Sequence, residues 1–194
     1  MTELVRAATA IQAGEAVVYP TETVYGLGAD ALNATAVERV YDIKGRDRSN
    51  PISMAVPSVP AAFEYVATSD RERQFMARFL PGPVTVLCRR RSSVPDVLTA
   101  GGDRVGIRVP DHPLALRLCE RATTPITATS ANISGGGSVR HPDALDDRVR
   151  ESAAVVLEAG GTRGTESTVV DVEAGTIHRR GAGANAIEAW LESQ

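Results

Sequence analysis

Two cations flank a glycine in the segment Lys44-Gly45-Arg46. A lysine ammonium and an arginine guanidinium at this spacing suit an anion, and a phosphate best of all, because both groups donate charge-assisted hydrogen bonds. The segment also follows a helical pattern of apolar residues, and cations at the end of a helix are favoured by the helix dipole. It therefore indicates either a phosphate site or an ordinary basic helix end.

Small hydroxyl and amide side chains follow the ends of predicted strands at Thr21, Ser130 and Asn132, and Ser167 precedes another strand after a glycine-rich loop. In an open α/β sheet, ligands bind just beyond the carboxyl ends of the strands, so these groups suit a hydrogen-bonding floor for a small polar ligand. In the loop after Thr21, Gly26 and Gly28 would let the backbone approach that ligand closely. The alternative is that the polar side chains only form turns and start the elements that follow.

Arg108 interrupts the apolar sequence Val105-Gly106-Ile107-Arg108-Val109. Strand alternation puts Val105, Ile107 and Val109 on one face and Arg108 on the other. If that other face lines a cavity, Arg108 can hold a carboxylate in a bidentate pair. Otherwise it is a half-exposed strand residue.

The chain lacks the motifs of nucleophilic and metal-dependent catalysis. There is no Ser-His-Asp order, no HExxH, no Walker A loop and no GxGxxG fingerprint. His112 lies among prolines, which favours a structural turn residue over an acid or base. Catalysis that positions two substrates and neutralises phosphate charge remains compatible with the sequence.

The elements that carry these residues mix strands and helices without strict βαβ alternation, which predicts an α/β fold with a sheet of mixed direction. The predicted strands are 16–19, 52–56, 84–88, 105–110, 126–129, 154–157, 167–172 and 176–180. The predicted helices are 3–13, 35–43, 69–80, 111–119 and 186–191, and residues 57–66 are predicted to form a short helix or a turn. The polar segment 44–51 is predicted to be a mobile loop.

Length and composition favour one domain over residues 1–194. The net charge of -3 provides no general basic field for nucleic acid, so any anion site must be local. Cys88 and Cys119 lie in apolar patterns and are expected to be buried thiols. No secretory signal and no apolar stretch of membrane-spanning length occurs, which predicts a cytoplasmic protein without a membrane partner.

Several blocks of the sequence, taken in their order, resemble the YrdC/Sua5 family. Lys44-x-Arg46 with Ser130-x-Asn132 matches the KxR…SxN signature of that family. Further blocks support the match, and they are Tyr19-Pro20-Thr21-Glu22-Thr23, Asn50-Pro51, Pro81-Gly82-Pro83, Gly106-Ile107-Arg108-Val109-Pro110 with His112, Ser167-Thr168-Val169-Val170-Asp171 and Arg180-Gly181. The resemblance implies a YrdC-like fold, a twisted α/β sheet with helices around a large, basic cavity, in the short, single-domain form.

The resemblance also implies an activity, the synthesis of threonylcarbamoyl-AMP and pyrophosphate from L-threonine, bicarbonate and ATP. A downstream threonylcarbamoyl-transferase complex would then modify adenosine 37 of tRNAs that read codons beginning with A. Carried over by motif, Lys44 and Arg46 would be catalytic and would hold the ATP phosphates, with Mg²⁺ brought by the nucleotide. Ser130, Asn132 and Arg180 would also bind ATP. The residues expected to bind threonine are Thr21, Arg108 and Ser167.

Two other functions remain open on the sequence alone. The first is an RNA-binding module, because a basic cavity suits a weak tRNA contact, although the acidic pI and the few aromatic residues argue against it. The second is a carbamoyl-adenylate-forming domain of the kind found in hydrogenase-maturation proteins. The dependence of ATP turnover on threonine would separate these functions.

Overall fold

The computed structural model describes residues 2–193, which form a mixed sheet covered by helices. Its strands are β1 (Ala16–Tyr19), β2 (Gly26–Gly28), β3 (Ser53–Ala55), β4 (Val66–Ala67), β5 (Val84–Arg90), β6 (Arg104–Arg108), β7 (Ile126–Ser130), β8 (Ala153–Val156), β9 (Thr168–Asp171) and β10 (Thr176–Arg179). Its α-helices are α1 (Glu3–Gln12), α2 (Ala34–Lys44), α3 (Val59–Ala62), α4 (Asp70–Phe79), α5 (Pro113–Ala122), α6 (Asp147–Ser152) and α7 (Ala184–Glu192). None of these helices is long and apolar enough to cross a membrane.

The strands lie in the order β10-β9-β5-β6-β3-β7-β2-β1-β8, with β4 paired to β5. Strand β1 runs parallel to β8, β3 to β6 and β5 to β9, and the other pairs are antiparallel. The predicted α/β sheet of mixed direction is therefore confirmed. Most neighbouring strands are remote in sequence, so the sheet brings distant segments side by side.

The two faces of the sheet are covered differently. One face packs on the larger apolar core, which includes Leu27, Met54 and Ile107 together with residues of α2 and α4. On the opposite face, α1 and α5 cover only the part around Tyr19 and Ile126. The rest of that face stays open and becomes the floor of a cavity.

Local signals in the sequence define the ends of the helices that matter for this cavity. The Asn33 side chain caps the first turn of α2, and Gly45 ends the helix in the left-handed conformation with φ 57°. Lys44 is therefore the last helical residue. His112 caps α5 by accepting a hydrogen bond from the Leu114 amide at 3.3 Å, so it has the structural role expected from its prolines.

Three elements differ from the sequence prediction. Residues 26–28, predicted as loop, form strand β2 between β1 and β7, because tertiary pairing overrides the low strand propensity of glycine. Strand β4 and helix α6 were not predicted, and both are short. Short elements carry too few periodic positions for a pattern to show.

Candidate active site

A cavity of about 900 Å³ lies on the open half of the sheet. Its floor consists of side chains from β1, β3, β5, β6 and β7, and its walls include the segment after α2, the loop after β7 and strand β10. The predicted site residues that line it are Thr21, Lys44, Arg46, Arg108, Ser130, Asn132 and Ser167. The fold therefore brings together groups that are up to 146 positions apart in the chain.

Strand β6 shows how the sheet aims its side chains into the cavity. Arg104, Gly106 and Arg108 line the cavity, while Val105 and Ile107 are buried in the core on the other face. This is the alternation that the sequence predicts for Arg108. A Cβ atom at Gly106 would lie 2.3 Å from the Ser53 hydroxyl oxygen, so a glycine is required between the two arginines.

The Lys44 amine links the two halves of the Lys44-x-Arg46 and Ser130-x-Asn132 pattern. Its side chain is buried, and its Nζ donates hydrogen bonds to the backbone carbonyls of Ser130 and Asn132, the latter at 2.5 Å. Burial and the neighbouring charge of Arg46 lower the pKa of Lys44 to about 8, against an opposing effect of Glu166. A cation in this position is poorly compensated by the protein and favours an anionic ligand.

Backbone carbonyls of the segment after α2 bind the side chain of Arg46. The Arg46 Nε donates to the carbonyl of Asn50 and its Nη2 to that of Pro51, both at 3.0 Å. The Tyr41 hydroxyl donates to the same Asn50 carbonyl, also at 3.0 Å. The segment predicted to be a mobile loop is thus tied by hydrogen bonds at its end, and these bonds orient the guanidinium.

The loop after β7 is organised by the side-chain amide of Asn132. Its Nδ2 donates to the carbonyls of Ile133 at 2.7 Å and Gly136 at 2.9 Å. Its Oδ1 is buried and has no hydrogen-bond partner within residues 2–193. A buried unpaired acceptor costs about 1–3 kcal/mol, so this oxygen is suited to receive a donor from a ligand.

Arg108 is not free in the cavity, since it forms an ion pair that the sequence did not indicate. Its Nη2 lies 2.7 Å from Oε1 of Glu22 and 3.4 Å from the Thr23 hydroxyl. Both side chains of the ion pair are about nine-tenths buried. A glutamate between two threonines was the only sequence signal, and it does not reveal a partner that is 86 positions away.

Thr21 lines the cavity, but its hydroxyl is used within its own turn. Its Oγ1 donates to the Val24 carbonyl at 2.7 Å and accepts from the amides of Thr23 and Val24. It also lies 2.9 Å from the Thr23 hydroxyl. Thr21 therefore shapes the wall of the cavity through the turn, which was the structural alternative left open by the sequence.

Ser167 lies in a hydrogen-bonded group between β5, β9 and β10. Its hydroxyl is 2.9 Å from that of Thr85 and accepts from Arg179 Nη2 at 3.0 Å. The Nε of Arg179 also donates to the Ser167 carbonyl, and its Nη1 pairs with Glu166 at 2.9 Å. Arg179 thus fixes Ser167 at the edge of the cavity.

The predicted ligand contact of Arg180 is not supported by its position. Arg180 is exposed and forms a bidentate pair with Glu188 on α7, whereas Arg179 lines the cavity. The contact expected of Arg180 came from the family motif, and Arg180 is absent from the described residues that line the cavity. Strand β10 has a register shift between Ile177 and Arg179, and both His178 and Arg179 line the cavity.

Gly26 and Gly28 are also needed for packing, in addition to the close approach to a ligand that the sequence predicts. A Cβ at either position would lie 2.9 Å from a carbon of the Tyr19 ring, which lies across β2. The ring also lines the cavity, and its hydroxyl donates to the Thr127 carbonyl at 3.2 Å. The glycines thus make room for an aromatic wall.

The charges around the cavity are concentrated at one end. Burial lowers the pKa of Arg179, and the charges of Arg108 and Arg46 lower it further, while Glu166 opposes this effect. Arg46 likewise lowers the pKa of Lys44, and Glu166 opposes that shift. The Lys44, Arg46 and Arg179 side chains, called here the cationic end, suit a polyanion. Arg108 and the Ser167 hydroxyl, which Arg179 also contacts, suit a small carboxylate beside it.

Comparison with known proteins identifies the family. A family model named Sua5/YciO/YrdC, described as telomere recombination, matches residues 9–181. The chain belongs to the Sua5/YciO/YrdC family. The resemblance inferred from the sequence blocks is confirmed, and the sheet described above is the fold of this family.

Family members with a name for their activity are similar over most of this chain. It is 40% identical to the threonylcarbamoyl-AMP synthase of Pyrococcus abyssi, over 86% of its own length and 49% of that protein. It is 34% identical to the threonylcarbamoyl-AMP synthase of Klebsiella pneumoniae, over 93% of its own length and 97% of that protein. The chain thus spans about half of the archaeal relative and nearly all of the bacterial one.

A solved structure of the family shows the same fold. The crystal structure of P. abyssi Sua5 complexed with L-threonine superposes with a TM-score of 0.83 at 38% identity, covering 93% of this chain and 55% of that one. That Sua5 protein therefore binds L-threonine.

Proposed function

We propose that this chain forms threonylcarbamoyl-AMP and pyrophosphate from L-threonine, bicarbonate and ATP. The observation that carries the proposal is that one cavity is lined both by the cationic end of Lys44, Arg46 and Arg179 and by Arg108. The names of the family relatives support it. The enzyme would be a nucleotidyltransferase.

The cationic end would bind the triphosphate of ATP. Lys44 and Arg46 would offset the charge that develops on the leaving pyrophosphate, in the roles first expected from the sequence. Arg179 takes the place that the sequence assigned to Arg180. Asn132 would offer its unpaired Oδ1 to an amino or hydroxyl group of the nucleoside, and Ser130 would line the same wall.

A Mg²⁺ ion bound to the triphosphate would screen its charge during the transfer. Within residues 2–193 there is no group of three or more His, Cys, Asp and Glu side chains that could hold a metal ion. The carboxylates among the described lining residues are Asp47 and Glu166. The donor set therefore fits a cation that is held mainly by phosphate oxygens, as Mg²⁺ in nucleotide sites usually is.

The second region would bind threonine. Arg108 would pair with the α-carboxylate, and Ser167 would hydrogen-bond the amino acid, while Thr21 shapes the wall. The amine of threonine would attack the carbon of bicarbonate and give a carbamate and water. A carbamate oxygen would then attack the α-phosphorus of ATP, and the bond to pyrophosphate would break. The protein supplies position and charge for this sequence.

The product is an activated acyl adenylate, so a second enzyme must consume it. We propose that a threonylcarbamoyl-transferase complex transfers the group to adenosine 37 of tRNAs that read codons beginning with A. Any direct contact of this chain with tRNA would be weak, because the net charge is -3.

Pyrophosphate release from ATP with bicarbonate tests the proposal, measured with L-threonine, with L-serine and without an amino acid. We expect release that depends on threonine and is lost in Lys44→Ala and Arg46→Ala. Release that ignores threonine but requires carbamoyl phosphate would instead indicate a carbamoyl-adenylate-forming domain. A folded protein that releases no pyrophosphate but binds tRNA with a steep salt dependence would indicate an RNA-binding module.

A further inference from the structure

The ion pair between Glu22 and Arg108 is incomplete in a way that a purely structural pair would avoid. A carboxylate and a guanidinium can form two parallel hydrogen bonds, but here a single Nη2–Oε1 contact of 2.7 Å joins them. The Oε2 of Glu22 and the Nε of Arg108 are buried, and neither has a hydrogen-bond partner within residues 2–193. Unpaired buried polar atoms call for a functional explanation.

The two members of the pair are placed differently relative to the cavity. Arg108 lines it, whereas Glu22 is absent from the described residues that line it, although Thr21 and Thr23 on either side are present. Hydrogen bonds of the Thr21 hydroxyl to the Thr23 and Val24 amides fix the turn that carries Glu22. The carboxylate is therefore held behind Arg108, where it orients the guanidinium and its charge still acts on a ligand.

The pair also makes the two ends of the cavity electrically different. Glu22 neutralises Arg108 at short range in a buried environment, where such an interaction is strong. At the other end the Glu166 carboxylate is 38% exposed and is shared between Arg179 and Ser138. Lys44 and Arg46 have no carboxylate within hydrogen-bond distance in the part of the chain that the structure describes.

We propose that Glu22 is a positioning and specificity residue, which orients Arg108 and neutralises its charge so that this subsite takes a zwitterionic α-amino acid and rejects phosphate. This inference rests on the proposed function of the cavity. An amino acid carries a carboxylate for Arg108 and an ammonium that is attracted by Glu22, whereas a phosphate carries only charge that Glu22 repels. Threonine is thereby directed to the Arg108 subsite, and the phosphates of ATP are directed to the cationic end.

Threonine binding to the whole chain, measured by titration calorimetry with and without saturating inorganic pyrophosphate, tests this role. In the wild type we expect pyrophosphate to change the threonine Kd by less than about twofold, because the two ligands occupy different ends. In Glu22→Gln we expect the Kd to rise roughly tenfold, equivalent to about 1.4 kcal/mol, and to rise again when pyrophosphate enters the Arg108 subsite. A merely structural residue would not create this competition.

Two variants act as controls. Glu22→Asp keeps the charge but shortens the side chain, so threonine binding should weaken without any gain of competition by pyrophosphate. Glu188→Gln removes a carboxylate from the exposed pair with Arg180 and should behave as the wild type.

The outcomes separate this inference from the proposed function. A wild type that does not bind threonine overturns the proposed function. A wild type that binds threonine, with a Glu22→Gln variant that matches it in both titrations, overturns the role of Glu22 alone. If Glu22→Gln fails to fold, as judged by circular dichroism, the Asp variant decides, and competition by pyrophosphate in that variant counts against the proposal.

Discussion

The Nζ of Lys44 lies 2.5 Å from the backbone carbonyl oxygen of Asn132, at the point where helix α2 meets the loop after β7. A second hydrogen bond joins the same two segments in the opposite direction, because the Ser134 amide donates to the Lys44 carbonyl at 2.9 Å. The end of α2 and the loop are therefore joined in both directions. A ligand that takes a hydrogen bond from Lys44 also acts on the loop that carries Asn132.

The pKa of Lys44 predicts how nucleotide affinity depends on pH. Burial lowers this pKa to about 8, so the amine is a cation below that pH and becomes neutral as the pH rises through it. We expect the affinity for ATP to be highest near pH 7 and to fall as the pH rises through about 8. Calorimetric titration with ATP between pH 7 and 9.5 measures this effect.

Lys44→Arg is the matched variant for the pH series, since a guanidinium stays charged throughout the range. Its ATP affinity should be lower than that of the wild type but should not change with pH. A wild type whose affinity is the same at pH 7 and pH 9.5 would contradict the assignment of Lys44 as the titrating cation.

Substitution of the neighbouring residues Arg179 and Arg180 tests which of the two arginines binds ATP. Arg179→Ala should raise the KM for ATP at least about tenfold, because a charge-assisted contact with phosphate contributes roughly 1.5–3 kcal/mol. Arg180→Ala removes a cation from the exposed surface next to α7 and should leave the KM within about twofold of the wild type. Steady-state kinetics of pyrophosphate release compares the two variants. A larger rise in the KM for ATP in Arg180→Ala than in Arg179→Ala would show that Arg180 binds ATP.

Ser167→Ala should weaken threonine binding and leave ATP binding nearly unchanged. The substitution removes the hydroxyl proposed to hydrogen-bond threonine, and it leaves the buried Thr85 hydroxyl without its partner, which costs about 1–3 kcal/mol. The KM values for the two substrates, measured separately, show which end is affected. Ser92→Ala, at an exposed serine, is the control. An equal loss of affinity for both substrates would place Ser167 between them.

Gly181 is required by the close approach of two backbone segments. A Cβ at this position would lie 2.2 Å from the Glu166 carbonyl oxygen, which is backbone and cannot rotate away. We expect Gly181→Ala to lower the free energy of unfolding by about 1–3 kcal/mol and to displace Ser167. Urea denaturation measures the change. Gly161→Ala, where no heavy atom lies within 4 Å, should be nearly neutral, and similar losses in both variants would argue against a steric cause.

The sequence alone predicts where a side chain faces when its position follows from strand alternation or from the end of a strand. Arg108 and Ser130 are of this kind, because a period of two and the end of an apolar run determine where they face. Helix α2 depends on equally local features, since the Asn33 side chain caps its start and Gly45 ends it with a positive φ. Such information is contained in a few consecutive residues.

The rest depends on contacts that no local pattern records. Glu22 meets a partner on another strand, and the roles of Gly26 and Gly28 depend on the Tyr19 ring across β1 and β2. Arg179 lines the cavity beside a register shift in β10, and such an irregularity in strand pairing leaves no mark in the sequence. These features are set by tertiary pairing.

The strand order β5-β6-β3-β7-β2-β1 has a consequence for how the protein becomes active during folding. Strands β2 and β7 are neighbours in space, but about a hundred residues separate them, so their pairing has a high contact order and requires closure of a long loop. The cavity floor is made of such strands, and no contiguous fragment of the chain contains both Lys44 and the carbonyls that it binds unless it extends from α2 to beyond β7. Nucleotide affinity should therefore emerge only after most of the chain has been synthesised and the sheet has been assembled.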